Sequence, residues 1–146
     1  MEPQDQRLQA SKQFAWVYLR LNRLIGRKLA GASTSQAQLK LLAFLEDGGK
    51  RSTDIAGYFG HSPRTVTQAI DALEAARYVR RSPILNDRRA KLIEITPAGI
   101  AALHAVQPIY QAVLKEAFGT LPPDDLSTLQ RLLDSVLARI EMLERS

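Results

Sequence analysis

Apolar positions recur every three or four residues near both ends of this chain and alternate in a short stretch of its middle. These two periods distinguish an amphipathic helix from a strand. Phe14, Val17, Tyr18, Leu21, Leu24, Ile25 and Leu29 share one face, predicting a first helix over 8–29 that Gly31 and the small polar residues after it bring to an end. Ser35, with Gln38 three residues on, has the form of a capping box and opens a second helix, 36–47, closed by Gly48 and Gly49. A third helix of two turns, 53–59, gathers Ile55, Ala56 and Phe59, with Ser52 or Thr53 as its cap. After a tight turn at Gly60 and His61, Ser62 supplies an N-cap. Pro63 follows at the first helical position, where its missing N–H costs nothing, and a fourth helix is predicted from there to Arg77.

Residues 78–85 are rich in β-formers, Pro83 restricts them to an edge or a strand end, and Ile93 and Ile95 alternate within 91–96. The segment reads as a β-hairpin whose tip carries Asn86, Asp87, Arg88 and Arg89. Thr96 and Pro97 repeat the Ser62 and Pro63 start and open a fifth helix to Phe118, which Pro108 should kink by removing a backbone hydrogen bond. A sixth begins at Pro122 and Pro123, with Asp124 and Asp125 at its positive end. It repeats Leu126, Leu129, Leu132, Leu133, Val136, Leu137, Ile140 and Leu143. The fold class is mainly α with a small β-hairpin, and 146 residues suit a single domain, 1–146.

Composition removes several kinds of chemistry. The chain has no cysteine, which excludes disulfides, thiolate zinc sites, iron–sulfur clusters and cysteine nucleophiles. His61 and His104 lack metal-ligand spacing, and neither a Gly-rich phosphate loop nor a nucleophile elbow is present. No enzyme activity, catalytic residue, metal or cofactor is expected. Asp124 and Asp125, directly after two prolines, read as acids stabilising a helix dipole. The uncharged run 95–114 contains two prolines, two glutamines, a threonine and a histidine, too polar for a membrane span and better suited to a helix buried between subunits. The opening residues have no secretory pattern, so a cytoplasmic protein without membrane contact is expected.

Charge is unevenly placed. The chain carries 20 basic and 15 acidic residues. Residues 50–91 hold nine of the basic and four of the acidic ones, leaving equal numbers of each sign elsewhere. The whole excess of +5 therefore lies in the middle, as a localised polyanion site requires, although a solvated surface would look the same by charge alone. The same segment holds helix, short Gly-containing turn and helix, the helix-turn-helix arrangement. On the second of these helices Val66, Ala69, Ile70 and Leu73 face inward. Arg64, Gln68, Asp71 and Ala75 face outward with Thr65 at the flank. Arg64, Thr65 and Gln68 thus offer a guanidinium, a hydroxyl and an amide, the groups that address base edges in a major groove.

These residues, read in order, resemble the multiple-antibiotic-resistance regulator (MarR) family of winged helix-turn-helix transcriptional regulators. The resemblance covers nearly the whole chain. It rests on S-x-x-T-V-T (Ser62, Thr65, Val66, Thr67), I-D-x-L-E (Ile70, Asp71, Leu73, Glu74), V-x-R (Val79, Arg81) and the wing pattern D-x-R-A…I-T-x-x-G (Asp87, Arg89, Ala90, Ile95, Thr96, Gly99). The wing pattern is the most specific part. One departure is Ala76-Arg77, where the family usually ends its recognition helix with Gly. A non-Gly left-handed cap costs about 1 kcal/mol, so the helix is expected to end differently here.

The resemblance implies a winged helix-turn-helix part, 33–98, flanked by dimerisation helices 1–32 and 99–146 that interlock in a homodimer. It implies a repressor bound to a pseudo-palindromic double-stranded DNA operator and released by a small aromatic or amphipathic effector. Ser62, Arg64, Thr65, Thr67, Gln68 and Arg81 would serve DNA binding from the module. In the wing, Arg89 would enter a minor groove, Asp87 would hold its guanidinium in a bidentate pair, and Arg88 would meet phosphate. Effector candidates in the crevice between dimer helices and winged module are Trp16, Tyr18, Arg20, Phe44, His104 and Tyr110, although aromatics at helical spacing are commonly packing residues. The competing reading is a winged helix used as a protein-interaction module without sequence-specific DNA binding, which steep salt dependence would separate from DNA binding.

Overall fold

The structure is a computed structural model that describes residues 2–146. In chain order it comprises α1 (Pro3–Lys28), α2 (Gln36–Leu45), β1 (Lys50–Arg51), α3 (Ser52–Phe59), α4 (Pro63–Ala75), β2 (Val79–Ile84), β3 (Asp87–Ile95), α5 (Pro97–Phe118) and α6 (Pro123–Glu144). The chain forms two compact units, Met1–Tyr110 and Gln111–Ser146.

In the first unit the expected helix starts hold where a side chain can bond the free N–H groups. Ser35 Oγ accepts from the Gln38 N–H while Gln38 Oε1 accepts from the Ser35 N–H, the reciprocal capping box. Ser62 Oγ accepts from the Thr65 N–H at 3.1 Å, and Thr96 Oγ1 does the same for Gly99 at 3.0 Å. The cap of α3 is a correction. It is Arg51, not Ser52 or Thr53, because Lys50 and Arg51 are drawn into a short strand opposite Ile93 and Leu92, and the Asp54 carboxylate reaches back to the Arg51 N–H. That strand, β1, gives a three-stranded antiparallel sheet of order β1-β3-β2, with Pro83 on an edge strand where its missing donor is harmless.

The end of α4 also differs from expectation. Arg77 takes a left-handed conformation (φ 66°), its N–H bonds the Glu74 carbonyl, and the Tyr78 N–H bonds the Leu73 carbonyl. This is the Schellman termination that glycine usually makes, adopted by arginine. Thr96 Oγ1 donates to the Arg77 carbonyl at 2.7 Å, so the start of α5 braces the end of α4. Gly99 is required nearby, since a Cβ there would run into the Tyr78 carbonyl oxygen.

The core of this unit is built from Ile25 and Leu29 at the end of α1, Leu39, Leu42 and Leu45 on α2, Ile55 on α3, Val66, Ile70 and Leu73 on α4, Val79 and Ile93 in the sheet and Leu103 and Val106 on α5. Ala69, expected inward, is exposed. In the second unit no residue of α6 is buried, and its apolar stripe of Leu132, Leu133, Val136, Leu137, Ile140 and Leu143 stands open. Phe14, Val17 and Tyr18 are likewise exposed on α1. Among the described residues no helix is long and apolar enough to cross a membrane.

Candidate nucleic-acid interface

α3 closes at Gly60, whose left-handed φ of 66° turns the chain, and the His61 N–H returns to the Ala56 carbonyl. The Ser62 hydroxyl then both accepts from the Thr65 N–H and donates to Thr65 Oγ1 at 3.0 Å. Ser62 and Thr65 thereby fix the first turn of α4. Arg64, Thr67 and Gln68 are exposed around that turn. Among the described residues neither Arg64, Arg88 nor Arg89 forms an ion pair, so all three guanidinium groups are available to an anion.

Arg81 is placed otherwise. Its Nη1 donates to Glu74 Oε1 at 2.6 Å and its Nη2 to Asp71 Oδ1 at 2.5 Å. Partial burial draws its pKa down, the bonds and charges of the two carboxylates outweigh that, and the net direction is upward. On the same strand Ser82 donates to Glu94 Oε1, and that bond, with Arg80 nearby, holds the Glu94 carboxyl below the ordinary glutamate range.

The wing corrects two expectations. Its turn is Leu85 and Asn86 alone, with Asn86 left-handed at φ 67°, so Asp87, Arg88 and Arg89 lie on β3 and not at the tip. Pro83 pairs with Lys91 but Ile84 pairs with Asp87, so Arg88, Arg89 and Ala90 bulge out of the ladder. Asp87 does not hold the Arg89 guanidinium. Its Oδ1 accepts from the backbone N–H of Arg89 at 3.1 Å and of Ala90 at 3.2 Å, and its Oδ2 lies 3.9 Å from Arg51 Nη1. An aspartate bonding the backbone two residues on is a local turn device. It sets the bulge that carries both arginines and leaves their side chains free.

The six effector candidates are not brought together. A cavity of about 390 Å³ opens between α1, α2, α3 and α4, lined by Tyr18, Asn22, Gln36, Lys40, Phe59, His61, Thr65 and Ala69 among others, and Tyr18 alone of the six lines it. Trp16 is exposed with the Arg20 guanidinium 5.6 Å from its ring. Phe44 stacks on Tyr58 at 4.2 Å, His104 pairs with Glu46 at 3.0 Å, and Tyr110 is half-buried. Asn22, whose Oδ1 accepts from Gln36 Nε2 at 2.7 Å, Gln36 itself, and Lys40, 5.7 Å from the Tyr18 ring, line the cavity and were missed by aromatic periodicity. Their polar character on otherwise apolar helix faces was the available signal. Among the described residues no cluster of His, Asp and Glu could hold a metal ion.

Comparison with known proteins agrees with this geometry. Residues 34–91, from the capped start of α2 into the wing, match the sequence model of the MarR family. The HTH-type transcriptional regulator PrsX of Escherichia coli is 30% identical over 76 residues, 52% of this chain and 46% of PrsX, so the chain spans about half the length of that relative. The crystal structure of the transcriptional regulator BldR from Sulfolobus solfataricus superposes with a TM-score of 0.86 at 24% identity, covering 95% of this chain and 99% of BldR. A mutant MarR from Escherichia coli complexed with operator DNA superposes with a TM-score of 0.81 at 23% identity, covering 94% of this chain and 99% of the other. Residues 34–91 thus carry the sequence pattern of the MarR family, and the chain has the winged-helix fold of these regulators.

Proposed function

We propose that this protein is a homodimeric, sequence-specific DNA-binding repressor acting in the cytoplasm and released from its operator by a small organic effector. The observation that carries DNA binding is the pairing, within one compact unit, of a Ser62-capped α4 exposing Arg64 and Gln68 with a wing whose Arg88 and Arg89 have no ion-pair partner among the described residues. Base edges are read by α4, with Thr67 and the Ser62 and Thr65 turn against the flanking backbone, and phosphate and minor groove by the wing. The solved complex of a mutant MarR with operator DNA supports this use of the fold. Dimerisation is supported by the open apolar stripes of α1 and α6, since a helix with one apolar face needs a partner and C2 pairing is the commonest way to supply it.

The cavity supports the effector. It is of small-molecule size, combines the Tyr18 and Phe59 rings with the Lys40 ammonium, and touches Thr65, Val66 and Ala69 of the reading helix. A ring-bearing anion there alters the helix that meets DNA. The test of base reading is to substitute Arg64→Ala or Gln68→Ala and titrate both a duplex selected by the wild type from a random pool and a shuffled duplex. Each change should cost about 1–3 kcal/mol on the selected duplex and less on the shuffled one. Equal losses on both would refute base reading.

A further inference from the structure

Asp71 and Glu74 stand on the C-terminal half of α4, where carboxylates oppose the helix dipole and where no basic residue occupies the last turn. Asp71 also belongs to the outward face that carries Arg64 and Gln68, so it would present a negative charge beside a polyanion. Both acids are met by a single residue from outside the helix. Arg81, on β2 opposite Ile93, sends one terminal nitrogen to each of them, and its side chain is 26% exposed while those of Asp71 and Glu74 are 61% and 44% exposed. A planar guanidinium has the fork needed to bond two carboxylates at once, which a lysine ammonium on its flexible stem does not reproduce. β2 continues directly into the hairpin that carries Arg88 and Arg89.

We infer that Arg81 is a positioning residue: it locks the angle between α4 and the wing through Asp71 and Glu74 and does not itself contact DNA. This rests on the DNA-binding reading above. A reading helix and a wing that must engage neighbouring grooves together need a fixed relative placement, and an error of a fraction of an ångström at α4 is carried to the wing through β2. The charges of the three groups also matter for the test, because positioning and direct contact predict opposite signs. Removing two carboxylates beside DNA strengthens binding by Coulomb attraction unless those carboxylates hold the geometry.

The experiment uses the full chain and two probes, a duplex selected by the wild type from a random pool and its shuffled counterpart, each titrated over a range of salt. Failure of the wild type to enrich any sequence would defeat the DNA-binding reading itself, before any variant is compared. With enrichment in hand, the double variant Asp71→Asn with Glu74→Gln should lower the ratio of selected to shuffled affinity by about ten-fold although the protein gains positive charge. Arg81→Lys should lower the same ratio while leaving affinity for the shuffled duplex within about two-fold and the salt slope unchanged, since the charge is retained. Circular dichroism and the melting temperature establish that each variant is folded, and the lysine variant keeps the proposal open to refutation if the double variant is not. A double variant that binds the selected duplex more tightly would overturn the proposal. So would an Arg81→Gln change that weakens both duplexes alike and lowers the salt slope by about one unit, the mark of a phosphate contact.

Discussion

Arg77 and Asp87 show how much a single residue's role depends on backbone conformation. Arg77 sits left-handed, a conformation that a helix end usually gives to glycine, and the strain is sustained by two backbone hydrogen bonds and by the Thr96 hydroxyl on its carbonyl. Arg77→Gly should therefore stabilise the fold by about 1 kcal/mol, less a few tenths for the greater freedom of glycine in the unfolded chain. A urea midpoint that stays put or falls would contradict this. Asp87 was read from the sequence as a clamp on the Arg89 guanidinium, because residues two apart in a strand point the same way. The bulge breaks that alternation, and the carboxylate turns to the backbone instead. Asp87→Asn keeps an oxygen that accepts both N–H groups and should hold operator affinity within a few-fold, whereas Asp87→Ala should lose about ten-fold through a loosened bulge. Equal behaviour of the two variants in operator titrations would show that the negative charge, and not the turn, is what matters.

At the scale of elements, the features readable in advance were those with a local physical cause. Ser35 with Gln38, Ser62 with Pro63 and Thr96 with Pro97 announced three helix starts because capping is decided within four residues. The face of α4 was legible from its period, and Val66, Ile70 and Leu73 are buried as the period required. β1 was not legible. Two residues carry no period, and Lys50 and Arg51 become a strand because β3 lies alongside them. The register skip between Pro83 and Ile84 was hidden for a similar reason: alternation over 91–96 gave no sign of how many residues the opposing strand would leave unpaired. The Asp71, Glu74 and Arg81 brace joins a helix to a strand, and a sequence shows it as three charges with nothing to say that they meet. Aromatic spacing along α1 and α5 likewise does not indicate which rings reach the cavity beside α4, which Tyr18 alone of the six effector candidates lines.

At the scale of the molecule, the apolar stripe of α6 is the strongest argument for a second copy, with Val136 58% exposed and Leu137 54% exposed in a single chain. Sedimentation should find a dimer at micromolar concentration. Leu133→Lys combined with Leu137→Lys should give monomer or aggregate, since each charge would have to enter the apolar seam. A wild type that sediments as a stable monomer would remove the dimer from the account. The central claim is that a basic middle segment, carrying a capped α4 and the exposed wing arginines Arg88 and Arg89, reads a DNA sequence. The most direct measurement is the affinity of the wild type for its selected duplex and for a shuffled one across salt concentration. The account predicts that log K falls linearly with log salt at about 0.9 per phosphate neutralised, with a slope of several units, and that the selected duplex binds at least about a thousand-fold more tightly. Equal affinity for the two duplexes, or affinity indifferent to salt, would contradict it.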